Sequence, residues 1–344
     1  MNRIKVFLEQ TIFTRQNNFK MIKKIFKVLK IVILILLALI AIGFLFEHIS
    51  RVYYNSKRPQ DSEFVEVEGR KIHYKKEGKG SCTIIFESGL GGDYLHWQEI
   101  QKKLSQKYTT ISYDKAGILW SEPSENISLR RYADDLKQLL EKTKCPKPYI
   151  LVGHSFGGIT PRLFIKENTK DLAGIVFVDV SHPKQLEKSS EALKNSVQPP
   201  PKNFLSFLNE IGVIRILYSN VSFTTAVPEK HWFNQNVKTY FYRIFDGMMA
   251  ELENDEKLMN EASRITNFGA VPLTIITAKY PDGVEGAKDK NLEKEYLSVH
   301  NALQVDLLNL SSHSKQIFAQ KSGHYITLQQ PDLICNEINK LAPN

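Results

Sequence analysis

Ser155 has more potential chemistry around it than any other residue of this chain. It stands in LVGHSFGG (151–158), with Gly153 and Gly157 two places to either side and Gly158 beyond. A serine hydroxyl is a weak nucleophile until an adjacent base takes its proton and the backbone presents its oxygen clear of neighbours. Glycines at these positions suit a backbone that bends hard or that another segment approaches closely. A loop that only turned a corner would need one glycine and would favour Asn or Asp. The apolar PYILV before the serine reads as a strand, and FGGITPRLFIKENTK after it reads as a helix starting at the glycines. That context favours a G-x-S-x-G nucleophile over a glycine-rich turn with a capping serine.

Two further segments fit acyl chemistry. FESGLGGDYLHW (86–97) places a glycine-rich turn after an earlier apolar strand. A tetrahedral oxyanion at Ser155 needs two preorganised N–H donors, one following the serine and one from such a loop. Phe156 and Leu90 are the candidates. In QKSGHYITLQQPDLI, His324 follows the last predicted strand and precedes a helix, which makes it the candidate general base. His154 lies inside the turn, His96 opens a helix, and His231 and His300 sit in helical stretches, so none matches that place.

These residues need a scaffold, and the patterning supplies one. FVEVEGRKIHYKKEG (64–78) alternates around Glu-Gly like a hairpin. CTIIFESG (82–89), YTTISYDKAG (108–117), YILVGHS, GIVFVDV (174–180), PLTIITA (272–278) and QIFAQKS (316–322) are strand-like. Helical periodicity covers 96–106, 129–144 (with Ser128 as N-cap), a stretch near 290–310, and 332–341. Near-continuous apolar strands alternating with amphipathic helices predict an α/β fold, a mostly parallel sheet with helices on both faces. Sites in such sheets lie at the carboxyl ends of the strands, where Ser155 falls. Residues 181–268 are too many for a loop and are rich in aromatics, so they read as an inserted helical cap. Some of those aromatics would line an apolar pocket above the serine, which predicts a hydrophobic acyl or alcohol group in the substrate.

From about residue 62 to the C-terminus the sequence resembles an alpha/beta-hydrolase of the lipase–esterase type. The segments that carry the resemblance are ESGLGG, YDKAGILWSEPS, LVGHSFGG, VFVDVSHP and SGHYITLQQPDLI, in family order. Ser88 replaces a histidine often found in the oxyanion loop. Lys115 and Leu119 replace an arginine and a glycine of the loop that follows YTTISY. The resemblance implies the alpha/beta-hydrolase fold over 62–180 and 269–344, with the cap at 181–268. It also implies an acyl-enzyme on Ser155, His324 as base, the amides of Leu90 and Phe156 holding the oxyanion, and no cofactor or metal. Acyl transfer to an alcohol, or carbon–carbon bond hydrolysis on the same residues, would be near variants, whereas a dehalogenase would want aspartate at 155. A catalytically inactive fold acting as a binding module is the reading from another class.

Family order also places an acid between Ser155 and His324, and two aspartates compete. Asp282 follows PLTIITAKYP near the place where most relatives carry the acid, but Pro281-Asp282-Gly283 is explained by turn chemistry alone. Asp179 ends the apolar run IVFVDV, where a buried carboxylate needs a partner and an imidazole N–H is a natural one. Asp179 is favoured, with Asp282 as the alternative.

The bulk numbers narrow the setting. The 344 residues carry a net charge of +9. Residues 1–30 hold eight basic residues against Glu9 alone, so the remainder is near neutral and shows no nucleic-acid footprint. Cys82, Cys145 and Cys335 have no metal-ligand spacing and read as small buried hydrophobes. IVILILLALIAIGFLF (31–46) is uncharged, and with the preceding residues it reaches the ~20 needed to cross a bilayer. No clear small-residue cleavage site follows it, so an uncleaved anchor over 28–48 is expected. Residues 1–30 then form a basic cytoplasmic segment, 49–61 a linker, and the hydrolase domain stands on the far side of the membrane. The expected partners are that membrane and a small-molecule or lipid-like acyl substrate.

Overall fold

A computed structural model describes residues 2–58, 63–197, 199, 201–279 and 289–343, with side chains from residue 19 onward. Eight strands form one sheet in the order β1-β2-β4-β3-β5-β6-β7-β8. They are β1 (Glu63–Val67), β2 (Arg70–Glu77), β3 (Thr83–Glu87), β4 (Thr109–Tyr113), β5 (Tyr149–His154), β6 (Leu172–Val178), β7 (Leu273–Ala278) and β8 (Ser314–Ala319). β1 and β2 pair antiparallel around Glu68-Gly69, β2 pairs antiparallel with β4, and every later pairing is parallel. The strands from β3 to β7 are buried on both faces, as their continuous Val/Ile/Phe content requires.

Alternate residues along each strand feed two apolar layers. Ile85, Leu151, Phe177 and Ile275 pack with α3 (Leu129–Lys142) and α4 (Arg162–Glu167). Ile84, Phe86, Val152, Val176 and Ile276 pack with α2 (Gln98–Leu104) and α13 (Pro331–Leu341). The α3 helix shows how its sequence achieves this. Leu129, Tyr132, Ala133, Leu136, Leu139 and Leu140 form one buried stripe, and the Ser128 hydroxyl accepts from the Arg131 amide to close the first turn.

Among the described residues between β6 and β7 are six helices: α5 (Gln185–Lys188), α6 (Glu191–Val197), α7 (Lys202–Glu210), α8 (Val213–Asn220), α9 (Trp232–Glu253) and α10 (Asp255–Ser263). α9 spans the carboxyl ends of the strands, and Phe233, Val237, Phe241 and Phe245 build an apolar cluster with Ile214 of α8. Not all the aromatics of this stretch turn inward, because Phe204 and Phe207 on α7 are exposed. α11 (Lys290–Asp306) and α12 (Ile326–Gln329) complete the set after β7.

The N-terminal segment is a single helix, α1 (Asn2–Asn55), whose Phe19–Asn55 part is long and apolar enough to cross a membrane. Its last turns join the body: Arg51 pairs with Glu210, and Tyr242 and Arg243 both donate to the Asn55 side chain. The three cysteines are free and buried.

The stretch after Ser155 departs from the expected continuous helix. A short 3-10 turn over Ser155–Gly158 stops at Thr160-Pro161, and α-helix resumes only at Arg162. Pro161 has no N–H to continue the ladder, so the helix that packs on the sheet restarts beyond it.

Candidate active site

The serine is presented by a strained turn. Ser155 has φ +54°, a left-handed conformation that side chains rarely adopt, immediately after β5. The glycines permit it by close backbone approach. A Cβ at Gly153 would lie 2.2 Å from the Gly157 carbonyl oxygen, and one at Gly157 2.4 Å from the Glu87 oxygen. The backbone of Ser155 is pinned from the far side by the Ser181 amide, which donates to its carbonyl at 2.8 Å.

His324 lies in the loop after β8, with its ring turned towards the end of β6. Its Nδ1 is 2.7 Å from Oδ2 of Asp179. Asp179 is itself in the left-handed region, at φ +44°, one residue past β6. Its other oxygen, Oδ1, accepts from the Ala278 amide at 3.0 Å and lies 3.1 Å from Nε2 of His300 on α11. Burial alone would raise the Asp179 pKa. The hydrogen bonds and charges of His300 and His324 outweigh that and hold it well below the ordinary carboxylate range. Asp282 lies outside the described residues.

His300 could not be singled out from its place in a helix, since only the packing of α11 against the end of β6 brings it to Asp179. His154 also has an unforeseen place, with Nε2 2.9 Å from the carbonyl oxygen of His324. Its ring stacks near that of His96, whose Nε2 meets the Thr327 hydroxyl at 2.9 Å. Burial, and then the neighbouring His324, lower the His96 pKa to about 3, and the same causes with His96 added hold His154 well below its ordinary value. Both rings are therefore neutral spacers that fix the His324 loop.

The loop Gly89–Gly92 faces the serine from β3. A Cβ at Gly89 would stand 3.0 Å from the Ser155 Cβ. Among the described residues the amides of Leu90 and Phe156 have no protein acceptor, whereas the Gly91 amide donates to Oε2 of Glu251 at 2.9 Å. Glu251 belongs to α9 and forms a buried ion pair with Lys115 at 2.6 Å, and Lys115 donates to the Gly89 carbonyl at 3.0 Å. The residues that depart from the family pattern thus have definite places. Lys115 ties the loop to α9, and Leu119 takes the positive φ (+45°) that a glycine would adopt freely. Ser88 donates to the Asp93 carbonyl and accepts from the Trp97 indole.

A cavity of about 240 Å³ opens over these groups, lined by Ser155, His324, the 89–93 loop and the apolar side chains of Phe223, Phe233, Phe241 and Met248. A larger open cleft of about 660 Å³ lies elsewhere, between Pro183, Glu187, Lys202 and Glu253, and contains none of the residues discussed above. Apolar walls with a few convergent polar groups make the smaller cavity the candidate site. No cluster of metal-binding side chains occurs among the described residues.

A family model described as the alpha/beta hydrolase fold matches residues 83–214. An uncharacterized Bacillus subtilis protein, YqjL, is 23% identical over 273 residues, which is 78% of this chain and 87% of that protein. Among solved structures the epoxide hydrolase CorEH superposes with a TM-score of 0.63 at 14% identity, over 81% of this chain and 97% of that one. Est816, described as an N-acyl homoserine lactone degrading enzyme, superposes with a TM-score of 0.58 at 17% identity, over 81% of this chain and 100% of its own.

Proposed function

This chain is an alpha/beta hydrolase, and from that premise we propose that it is a serine hydrolase cleaving an ester or amide, with Ser155, His324 and Asp179 as its triad. The observation that carries the proposal is the 2.7 Å contact between His324 Nδ1 and Asp179 Oδ2, beside a cavity that Ser155 and His324 both line. With Nδ1–H donated to a carboxylate, Nε2 of the imidazole is left as the proton acceptor. It takes the Ser155 proton as Oγ attacks the carbonyl carbon. The negative oxygen of the tetrahedral intermediate is received by the amides of Leu90 and Phe156, which have no acceptor among the described residues. The imidazolium returns the proton to the departing alcohol or amine. Water then attacks the acyl-enzyme by the same route in reverse, and Asp179 stabilises the imidazolium each time it forms.

The two structural neighbours suggest different substrates, and the nucleophile separates them. A serine oxygen opening an epoxide would form an ether, which the site has no means to hydrolyse. Attack on a carbonyl forms an ester that water releases. The Ser155 nucleophile therefore favours carbonyl substrates such as esters and lactones. The apolar cavity favours a hydrophobic acyl or alcohol group.

The Phe19–Asn55 part of α1 supports an uncleaved single-pass anchor, with the basic N-terminal residues cytoplasmic and the hydrolase body on the other side. A fluorophosphonate probe should label the wild-type chain and leave Ser155→Ala unlabelled. Equal labelling of both would put the nucleophile elsewhere.

A further inference from the structure

The helices α7 and α8 are apolar on two sides. Leu205 and Leu208 of α7, with Ile214 and Tyr218 of α8, pack inward on the α9 cluster. On the opposite side Phe204, Phe207, Val213, Ile216 and Leu217 are all exposed. Helices apolar all round are found in the interior of a protein or in lipid. Five exposed large apolar side chains on two neighbouring helices call for an occupant.

The occupant is indicated by where α1 meets these helices. The turn between α7 and α8 touches α1 at Gly43, inside the uncharged run Ile31–Phe46, and a Cβ at Gly43 would lie 2.4 Å from the Ile211 carbonyl oxygen. Gly212, at φ +74°, continues that contact against Glu47 and Phe46. Helical rise is about 1.5 Å per residue, so sixteen residues span about 24 Å of a hydrocarbon layer about 30 Å thick. The boundary of that layer therefore falls at or beyond Glu47. A carboxylate there would be costly in lipid, and the fold removes it from lipid. Glu47 is 2% exposed, held by Arg51 at 2.9 Å and by Arg215 of α8 at 2.6 Å. The helix that covers this acid is thus brought to the depth of the membrane boundary with its apolar side outward.

We propose that the outer face of α7 and α8 is seated in the bilayer that α1 crosses, and that the cavity over Ser155 takes its acyl substrate from that lipid. Phe223, just beyond α8, is half of the connection. It is partly exposed, lines the cavity, and stands 6.0 Å ring-to-ring from Tyr218. The proposal rests on reading α1 as a membrane anchor and Ser155 as an acyl-hydrolase nucleophile.

The test uses the full chain in phosphatidylcholine vesicles, with an environment-sensitive fluorophore on Leu217→Cys and doxyl-labelled lipid as quencher. Leu36→Cys in α1 and Lys170→Cys, before the amino end of β6, are the companions. Quenching at 36 and 217 but not at 170 is the expected result. Quenching at 36 alone overturns the seating of the cap and leaves the anchor standing. No quenching at 36 removes the anchor and the proposal with it. For delivery from lipid, Ile216→Asp with Leu217→Asp should lower kcat/KM for a long-chain ester dissolved in the vesicles by about tenfold. A water-soluble butyrate ester should be turned over as before, and Phe204→Ser with Phe207→Ser should give the same split. Unchanged turnover of both esters, or an equal fall on both in either pair of variants, overturns delivery from lipid. Failure of the wild-type chain to cleave either ester would instead refute the hydrolase reading, whatever the quenching shows.

Discussion

Two buried carboxylates flank Ser155, and they are partnered in opposite ways. On the β6 side Asp179 meets two imidazoles, His324 and His300, and one amide. On the β3 side Glu251 meets the ammonium of Lys115, the Tyr132 hydroxyl and the Gly91 amide. Both acids are satisfied, as burial demands. The difference lies in what each partner can do near neutral pH. An imidazole gains and loses a proton there, so the Asp179 side can move charge during a reaction. The ion pair of Lys115 with Glu251 ties α9 to the Gly89–Gly92 loop, so the Glu251 side holds geometry. One side of the serine is built for proton transfer and the other for a fixed loop.

Breaking the first side should have the larger effect on catalysis. Asp179→Asn keeps the shape but presents the wrong partner to His324 Nδ1, and we expect kcat to fall by roughly 10⁴ with folding retained. Near-normal turnover in this variant, measured on any ester the wild type cleaves, would place the acid elsewhere. Glu251→Gln should act on the second side. It takes away the buried ion-pair partner of Lys115, a loss of about 3 kcal/mol in denaturant unfolding. The freed Gly89–Gly92 loop should lower kcat as well, by less than Asp179→Asn does.

His300→Ala sharpens the contrast within the first side. His300 reaches the reacting groups only through the acid, its ring otherwise stacking on Tyr296, so it is a positioning residue, and its loss should lower kcat roughly tenfold while leaving KM alone. The pH profile of kcat should also shift, because Asp179 would keep a single imidazole partner. A change in stability with no change in that profile would show His300 to be packing alone.

Asp93 gives the smallest effect and the clearest sign. It sits beneath the loop, accepting from Asn236 of α9 at 2.7 Å, and burial with the nearby Asp114 pushes its pKa up to about 7. A carboxyl held above its unfolded value of about 4 binds its proton more tightly when folded. Its contribution to stability is therefore complete below about pH 4 and is lost as the pH rises through about 7. Asp93→Asn should flatten that part of the stability–pH curve and raise the melting temperature at pH 8 by roughly 5 °C. A parallel curve for wild type and variant would count against the raised pKa.

Much of this molecule is legible in its sequence because the signals are local. Alternating apolar strands and striped helices fix an α/β sheet, since each element's period decides which face it buries. The G-x-S-x-G turn is legible because only glycine tolerates backbone approaches of 2.2–2.4 Å to a Cβ position, and such constraints leave identities behind. The apolar length of α1 is read in the same way. Other features have no local signature. The continuous helix expected after Ser155 fails at Pro161, whose missing N–H can be read from the chain, although where the helix restarts is decided by packing on the sheet. The outward turn of Phe204 and Phe207 is decided by tertiary packing. So is the meeting of His324 and His300 on Asp179, residues 145 and 121 positions apart from it, which depends on how β6, β8 and α11 converge. Residue types and periods are written along the chain, whereas contacts between distant side chains exist only after the sheet has ordered its strands, because a carboxylate finds its imidazole through space and not through sequence.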